Sequence, residues 1–163
     1  VPLAGVLGVF TRDTKYRING NAFSGFIHFE AISHRGTRAY KSAVASEYGI
    51  VFVSSDGVYT TNLIGADQKI SGDIEQLFNP DNLDVEDIRN EEPINQDYAH
   101  LISGSIYKTK YRFCYPSGTS TVIDREAVYD FDVKKWTINN LNSASYFFEA
   151  DTDFLTGGGQ DGA

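Results

Sequence analysis

Short apolar or alternating runs, separated by glycine, asparagine, aspartate and serine, recur along the whole 163-residue chain. Alternation with a period of two places successive side chains on opposite faces of a strand, and the intervening residues favour tight turns. Ser54-Ser55-Asp56-Gly57, between two apolar runs, is a strong hairpin signal. The sequence therefore predicts an all-β fold of short antiparallel strands without long helices.

The first part of the chain is predicted to form successive hairpins. A strand ending at Arg12-Asp13 pairs with a second strand that ends in a corner at Asn19-Gly20, because Asn-Gly tolerates positive φ. A third strand is expected over residues 26–32, and a short outer strand over 68–71. Residues 50–53 are apolar on both faces, as a strand between two neighbouring sheets requires.

A change of period after these strands indicates a short helix. Ile74, Leu77 and Phe78 are spaced as on one helix face, with Ser71 or Gly72 as the cap. We expect one or two turns of helix here.

Residues 79–97 form an acidic segment, which we expect to be a surface insertion with a further short helix near residues 83–88. It holds seven acidic residues against Arg89 alone and so carries −6 of the chain's net charge of −8. A net acidic protein gains little from counterion release on nucleic acid, which disfavours sequence-specific DNA or RNA binding.

The second half is predicted to form a four-stranded meander. Its strands are expected over 98–107, 110–115, 124–132 and 135–140. Trp136 and Ile138 alternate with polar residues, as in a half-exposed outer strand.

A repeat links the two halves. Ser42-Ala-Val, an apolar strand and Asp56-Gly57 reappear as Ser143-Ala-Ser, a second apolar strand and Asp161-Gly162. The spacing leaves room for units of about 50 residues, near the length of β-propeller blades. We therefore expect residues 1–163 to form a single propeller-like region of about two and a half to three blades in an incomplete ring. The first unit is expected to lack an inner strand, and the region to belong to a larger protein.

Several motifs in order carry a resemblance to a known family. They are Leu7-Gly-Val-Phe-Thr-Arg-Asp-Thr-Lys-Tyr-Arg-Ile-Asn-Gly20, Gly36-Thr, Ser42-Ala-Val, Gly49-Ile-Val-Phe-Val-Ser-Ser-Asp-Gly-Val-Tyr59, Lys69-Ile-Ser-Gly-Asp-Ile-Glu75, Tyr111-Arg-Phe-Cys-Tyr-Pro, Ala127-Val-Tyr-Asp-Phe-Asp132 leading to Trp136, and the closing Gly-rich Asp-Gly. Together they resemble the propeller-containing tail-hub and tail-nozzle proteins of short-tailed bacteriophages, the head-tail connector proteins.

The resemblance implies a structural virion protein. Such a protein is assembled in the host cytoplasm, joins a homo-oligomeric ring, and contacts portal, adaptor and other tail subunits around the genome-ejection path. The family offers no catalytic residues to transfer, so no enzyme activity, cofactor or metal is expected, and contact with packaged DNA should be non-specific at most. Family members are several times longer, and the chain opens with Val1 and contains no methionine, so a fragment or processed product is expected.

The cysteine count and the hydropathy pattern bear on the redox compartment and on membrane contact. Cys114 is the only cysteine, so neither an internal disulfide nor a cysteine-based metal knuckle is expected, and assembly in a reducing cytoplasm is the simpler interpretation. No apolar run approaches the roughly 18 residues of a membrane span, and the N-terminus lacks a signal-peptide pattern. A membrane partner is therefore not expected.

Two charged regions are predicted to meet between copies of the chain. Lys108, Lys110 and Arg112 occupy every second position and so share one face of the predicted strand. In an adjacent copy their partners would come from the acidic segment, at Asp84, Glu86, Asp87, Glu91 and Glu92. By itself the basic stripe is most simply a solvated or subunit-facing strand edge, and the alternative, given its interleaved aromatics, is a grip on nucleic acid.

Other candidate sites give weaker patterns. His28, His34 and His100 have no metal-ligand spacing, and a calcium site at Asp130/Asp132 or Asp151/Asp153 lacks a shaped loop with enough oxygens. Gly157 to Gly159 lack the ending of a phosphate loop. Ser54 to Gly57 are similar to the turn boxes of sialidase propellers, but the aromatic that should follow is displaced.

Two further functions stay open at this point. One is a carbohydrate-binding or carbohydrate-cleaving propeller for host attachment, which exposed aromatics beside carboxylates would favour. The other is a cellular protein-interaction propeller, which genomic neighbours unrelated to phage structure would favour.

Overall fold

A computed structural model describes residues 1–3, 5–21, 26–79, 91–141, 146–150 and 153–157, which form antiparallel sheets in chain order. Sheet I consists of β1 (Pro2–Leu3), β2 (Val6–Phe10), β3 (Lys15–Asn21) and β4 (Phe26–Ser33). Sheet II consists of β5 (Val44–Ser46), β6 (Gly49–Ser54), β7 (Gly57–Thr61) and β8 (Gln68–Lys69). Sheet III consists of β9 (Ser103–Tyr107), β10 (Lys110–Tyr115), β11 (Arg125–Asp130) and β12 (Lys135–Asn140). Sheet IV consists of β13 (Tyr146–Ala150) and β14 (Asp153–Gly157). The predicted all-β class is confirmed.

The predicted strands of sheet II match the structure closely. All six residues of β6 are buried, as expected for a strand that is apolar on both faces. The turn to β7 is Ser55-Asp56, because Ser54 pairs directly with Gly57. The meander predicted in the second half is likewise present as sheet III.

Sheet I differs from its prediction in two places. Asn19 and Gly20 do not form a corner but pair within β3, opposite His28 and Ile27 of β4. Asn-Gly permits a turn without requiring one, and here the cross-strand ladder continues through it. The expected absence of an inner strand is also wrong, because β1 pairs with β2 through Pro2 opposite Leu7.

One 3₁₀ helix precedes the acidic segment, and a second begins within its last two residues. The helix predicted after residue 71 is present over Gly72–Leu77, but the Ser71 side chain does not cap it. Instead, Ser71 Oγ accepts a 2.9 Å hydrogen bond from the backbone N–H of Val58. The strand predicted from residue 98 begins only at 103, because the Asn95 side chain accepts from the N–H of Asp97 and starts a 3₁₀ helix over Gln96–Leu101.

Sheets I and II pack face to face through apolar contacts. The rings of Phe10 and Phe52 lie 4.9 Å apart between centroids. A Cβ at Gly8 would lie only 3.1 Å from the Leu63 side chain, so the missing side chain permits the close approach of the two sheets.

A buried ion pair also joins sheets I and II. Lys15 Nζ lies beside the Asp67 carboxylate and donates a 3.0 Å hydrogen bond to Thr61 Oγ1. The other Asp67 oxygen accepts from Ser33 Oγ at 3.2 Å. Burial lowers the pKa of Lys15, and the hydrogen bond to Asp67 opposes that effect.

The main apolar core lies between sheets II and III. Val51, Val53 and Val58 of sheet II belong to one buried cluster with Tyr111 and Phe113 of sheet III. Short β1, β5, β9 and β13 begin their sheets, and β1 contacts β5, β5 contacts β9, and β9 contacts β13. The sheets therefore follow one another side by side, with their first strands adjacent.

Candidate functional site

A cavity of about 280 Å³ opens where the ends of sheets I and II meet the Gln96–Leu101 helix. Its lining comes from the β2–β3 turn, the connection between sheets I and II, the β6–β7 turn and this helix. Ala39, Val53, Ala99 and Ile102 form an apolar floor. Its polar lining comprises Arg12, Asp13, Arg38, Ser54, Ser55 and Gln96.

The connection between sheets I and II is held rigidly beside this cavity. The N–H of Thr37 donates 2.8 Å to the carbonyl oxygen of Thr11, and Thr37 Oγ1 donates to the Val53 carbonyl oxygen. Ser54 Oγ donates 2.9 Å to the carbonyl oxygen of Gly36. Together with the 2.9 Å hydrogen bond from the N–H of Ala39 to Thr37 Oγ1, these bonds hold the backbone on either side of Arg38, whose exposed side chain lies at the cavity rim.

The side chains that line the cavity can bind an anionic group. Arg12 Nε pairs with the Asp13 carboxylate at 3.8 Å, so the cavity offers one paired guanidinium group and that of Arg38 above its apolar floor, which can bind a carboxylate or other anionic group on an extended chain. Ser54 Oγ donates its hydrogen bond to the backbone carbonyl oxygen of Gly36. The lining residues in the described part of the chain include neither histidine nor cysteine.

A charged cluster stands close to the cavity, at the β6–β7 turn. Asp56 Oδ2 accepts from Tyr59 Oη at 2.8 Å and from Arg35 Nη2 at 3.1 Å, and the Arg35 guanidinium lies 4.0 Å from the Tyr59 ring centroid. Burial alone would raise the pKa of Asp56, but these hydrogen bonds outweigh it and hold the pKa below its ordinary value. The cluster ties the connection after sheet I to sheet II.

The predicted acidic contact residues fall into two groups. Asp84, Glu86 and Asp87 lie outside the described residues, as does the helix expected near them. The Oε2 atom of Glu91 lies 4.0 Å from the Nε atom of Arg125. The exposed Glu92 accepts a long, 3.5 Å hydrogen bond from Ser117 Oγ. Both of these carboxylates therefore contact sheet III, or the turn beside it, in the same chain.

The predicted basic stripe does not extend along one strand. Lys108 lies in the β9–β10 turn with φ +53°, so only Lys110 and Arg112 share a face of β10. Lys110 pairs with Asp130 at 2.9 Å, and Arg112 pairs with the buried Glu126 at 3.2 Å. These carboxylates on β11 neutralise the two cations within the sheet. The hydrogen bond from Lys110 lowers the pKa of Asp130.

The other sequence candidates are dispersed in the structure. His28, His34 and His100 are all exposed, on β4, on the connection after it and on the second 3₁₀ helix. Among the described residues, no group of three or more His, Cys, Asp or Glu side chains could hold a metal ion. Asp151 and Gly158 to Gly159 lie outside the described residues.

Sequence reasoning identified the segments around the cavity but not the cavity. Arg12 and Asp13 were predicted only as a turn, and Arg38 and Gln96 carry no motif. The motif Gly36-Thr37 marks this connection in the sequence. The structure explains the glycine, because a Cβ at Gly36 would lie 2.1 Å from the Thr11 carbonyl oxygen.

Comparisons with known proteins add no identification to this geometry. A scan against family models finds no match, and a search of curated proteins finds none either. Within the residues described, no helix combines the length and apolar character needed to cross a membrane.

Proposed function

We propose that this chain is a non-catalytic building module of a bacteriophage virion, located in the tail hub, nozzle or neck. The observation that carries the proposal is the side-by-side order of successive antiparallel sheets with their first strands adjacent. It supports a propeller-like row of blades, in which each sheet covers an apolar face of the next. Such a row is suited to forming the wall of a larger ring.

The charge distribution supports a place beside packaged DNA. A net charge of −8 keeps the surface from binding strongly to DNA that has to pass through the particle. At most, non-specific contact with DNA is expected. The partners in this proposal are portal, adaptor and other tail subunits, assembled with the chain in the host cytoplasm.

The cavity supports the proposal as a docking point for a neighbouring subunit. Arg12 and Arg38 stand at its rim, and the rigid backbone below them reduces the entropy lost when a partner segment binds. A segment that presents a carboxylate above a small apolar side chain would match both parts of the cavity.

Cryo-electron microscopy of particles from the source tests the location. We expect density for sheets I to IV in the tail or neck, and absence of the chain from both would overturn the proposal. A double variant, Arg12→Glu with Arg38→Glu, should reduce incorporation of a neighbouring subunit. Lys41→Glu with Lys134→Glu, at two exposed positions outside the cavity lining, reverses the same number of charges and should leave incorporation unchanged.

A further inference from the structure

The outer strand of sheet I, β4, has a free side with which no strand in the described part of the chain pairs. It is eight residues long, whereas the outer strand of sheet II, β8, has only two. The outer strand of sheet III, β12, begins with a lysine and ends with two asparagines. Short length, lysine and proline protect an outer strand from pairing with another chain. Because β4 is long and contains neither lysine nor proline, its free backbone N–H and C=O groups can pair with another strand.

One face of β4 is apolar up to this free edge. Ile27, Phe29 and Ala31 lie on that face because they occupy alternate positions of the strand. Ile27 is 76% exposed, Phe29 is 57% exposed, and Ala31 is exposed as well. The Phe29 ring stacks on the ring of Tyr16 in β3, with centroids 4.6 Å apart, which holds it in place. An exposed apolar face beside an unpaired strand edge indicates a contact with another protein chain.

The sequence of β4 is complementary to itself in one antiparallel register. When Phe29 lies opposite Phe29 of a second copy, Ile27 lies opposite Ala31 and His28 lies opposite Glu30, each of these pairs occurring twice. The apolar pairs then share one face and the His28–Glu30 pairs share the other. Aromatic pairs and pairs of opposite charge across two strands stabilise a sheet. A histidine ring also donates a hydrogen bond to a carboxylate in its neutral form.

The side chains that would make the polar pairs are accessible. His28 is exposed, and the Glu30 side chain is 43% exposed. Arg17 Nη2 lies 2.5 Å from Oε2 of Glu30, which holds the carboxylate in place near the edge.

Neighbouring registers lose this complementarity. A shift by two residues places Glu30 opposite Glu30 in one direction and His28 opposite His28 in the other, and like charges directly opposite each other destabilise a sheet. A shift by one residue brings the apolar side chains of one copy onto the polar face of the other. The register with Phe29 at its centre is therefore favoured over these neighbours.

We propose that β4 pairs antiparallel with β4 of a second copy of this chain, in the register that places Phe29 opposite Phe29. The contact is isologous, so its two-fold symmetry is complete with two copies and forms neither a ring nor a filament. It joins the two copies of the four-stranded sheet I into one continuous sheet. The inference goes beyond the proposed function, because the contact requires no other virion protein.

Sedimentation velocity on the full chain, between about 1 μM and 1 mM, tests the association. His28→Glu places like charges opposite each other at two positions and should weaken dimerisation by about tenfold, whereas His28→Lys keeps opposite charges and should maintain or strengthen it. His100→Glu, at an exposed histidine on the second 3₁₀ helix, is the matched control and should leave dimerisation unchanged. Circular dichroism checks that each variant remains folded. A parent chain that stays monomeric throughout, or equal weakening by His28→Glu and His28→Lys, would overturn the inference.

Introduced cysteines test the register, and the native Cys114 is buried. An equal mixture of Ile27→Cys and Ala31→Cys chains should form disulfide-linked dimers on mild oxidation, because residues directly opposite each other have Cβ atoms about 4.5–5.5 Å apart. Either variant alone should form few, since its two cysteines would lie four strand positions apart, about 14 Å. Non-reducing electrophoresis measures the yield. A mixture that yields no more dimer than the two variants separately would overturn the inference.

Discussion

The indole Nε1 of Trp136 donates a 2.7 Å hydrogen bond to the carbonyl oxygen of Ile70. Trp136 lies on β12 of sheet III, whereas Ile70 directly follows β8 of sheet II, so the bond joins the outer strands of two sheets. Trp136 is only 6% exposed, and its ring meets that of Phe113 edge-on at 5.8 Å. The contact fixes the spacing of the sheets at the side opposite their first strands.

Trp136 should report directly on the docking of sheets II and III. As the only tryptophan, it should emit at short wavelength in the native state and shift to longer wavelength on unfolding. Trp136→Phe leaves the Ile70 carbonyl oxygen without its donor and reduces packing, which should lower the free energy of unfolding by about 1–3 kcal/mol. Urea unfolding followed by circular dichroism measures the loss.

Thr137→Val is the control for this variant, because Thr137 is exposed on the same strand. Its effect should stay within about 0.5 kcal/mol. Equal stability of the Trp136→Phe and parent proteins would contradict the assigned role.

The buried Lys15–Asp67 pair should be sensitive to removal of either member. Lys15→Met leaves the Asp67 carboxylate, 2% exposed, without its cation and should cost about 3–5 kcal/mol of unfolding free energy. Removing both charges, with Lys15→Met and Asp67→Asn, should cost less than the sum of the single changes. Chemical denaturation of the four proteins gives the coupling energy.

An exposed ion pair provides the comparison. Lys135 and Asp73 pair at 3.2 Å with side chains 73% and 49% exposed, so Lys135→Met should cost about 0–1 kcal/mol. A loss at Lys15 no larger than the loss at Lys135 would count against a buried, coupled pair.

The pattern of apolar residues predicted much of the fold, because a short stretch of sequence is enough to show which residues of a strand are buried. Residues 50–53 are apolar at every position, and the structure buries all of them. The 3₁₀ helix over Gln96–Leu101 was missed because a single side-chain hydrogen bond from the Asp97 N–H to Asn95 decides its start. The alternation of apolar and polar residues gives no sign of such a hydrogen bond.

The sites depend on contacts that are distant in sequence, so the sequence predicted less of them. Lys15 and Asp67 are separated by 52 positions, and no pattern in the sequence links them. The basic stripe was inferred from spacing alone, which did not show that the left-handed backbone at Lys108 places it in a turn. Cross-strand register then places Asp130 directly opposite Lys110, and Glu126 two residues from Val128, the residue opposite Arg112.

Gly36 should not tolerate even one methyl group. A Cβ there would lie 2.1 Å from the Thr11 carbonyl oxygen and 2.6 Å from the Thr14 nitrogen, and both are backbone atoms that cannot swing away. Gly36→Ala should therefore destabilise the protein by about 1–3 kcal/mol and loosen the cavity rim. Gly72→Ala, where nothing lies within 4 Å, is the matched control and should leave the thermal midpoint unchanged or raise it.

Buried tyrosines should make the protein unstable in alkali. Burial raises the pKa of Tyr111 above its ordinary value of 10.0, so above that pH the unfolded chain loses a proton that the folded chain keeps. The folded state then binds more protons, and stability falls as pH rises. Stability falls in the same direction because of the raised pKa values of Tyr59, Tyr115 and Cys114. The lowered pKa of Lys15 has the opposite effect on stability.

Tyr111→Phe isolates one of these groups. The variant loses the 2.9 Å hydrogen bond from Tyr111 Oη to the Ser42 carbonyl oxygen, which should cost about 1 kcal/mol at neutral pH. Above pH 10 its stability should fall less steeply than that of the parent, by about 1.4 kcal/mol per pH unit, because one fewer tyrosine ionises on unfolding. Urea unfolding at a series of pH values measures both slopes. Tyr40→Phe, at a position 62% exposed, should keep the parental slope, and a parental slope in Tyr111→Phe would show that Tyr111 ionises in the folded protein.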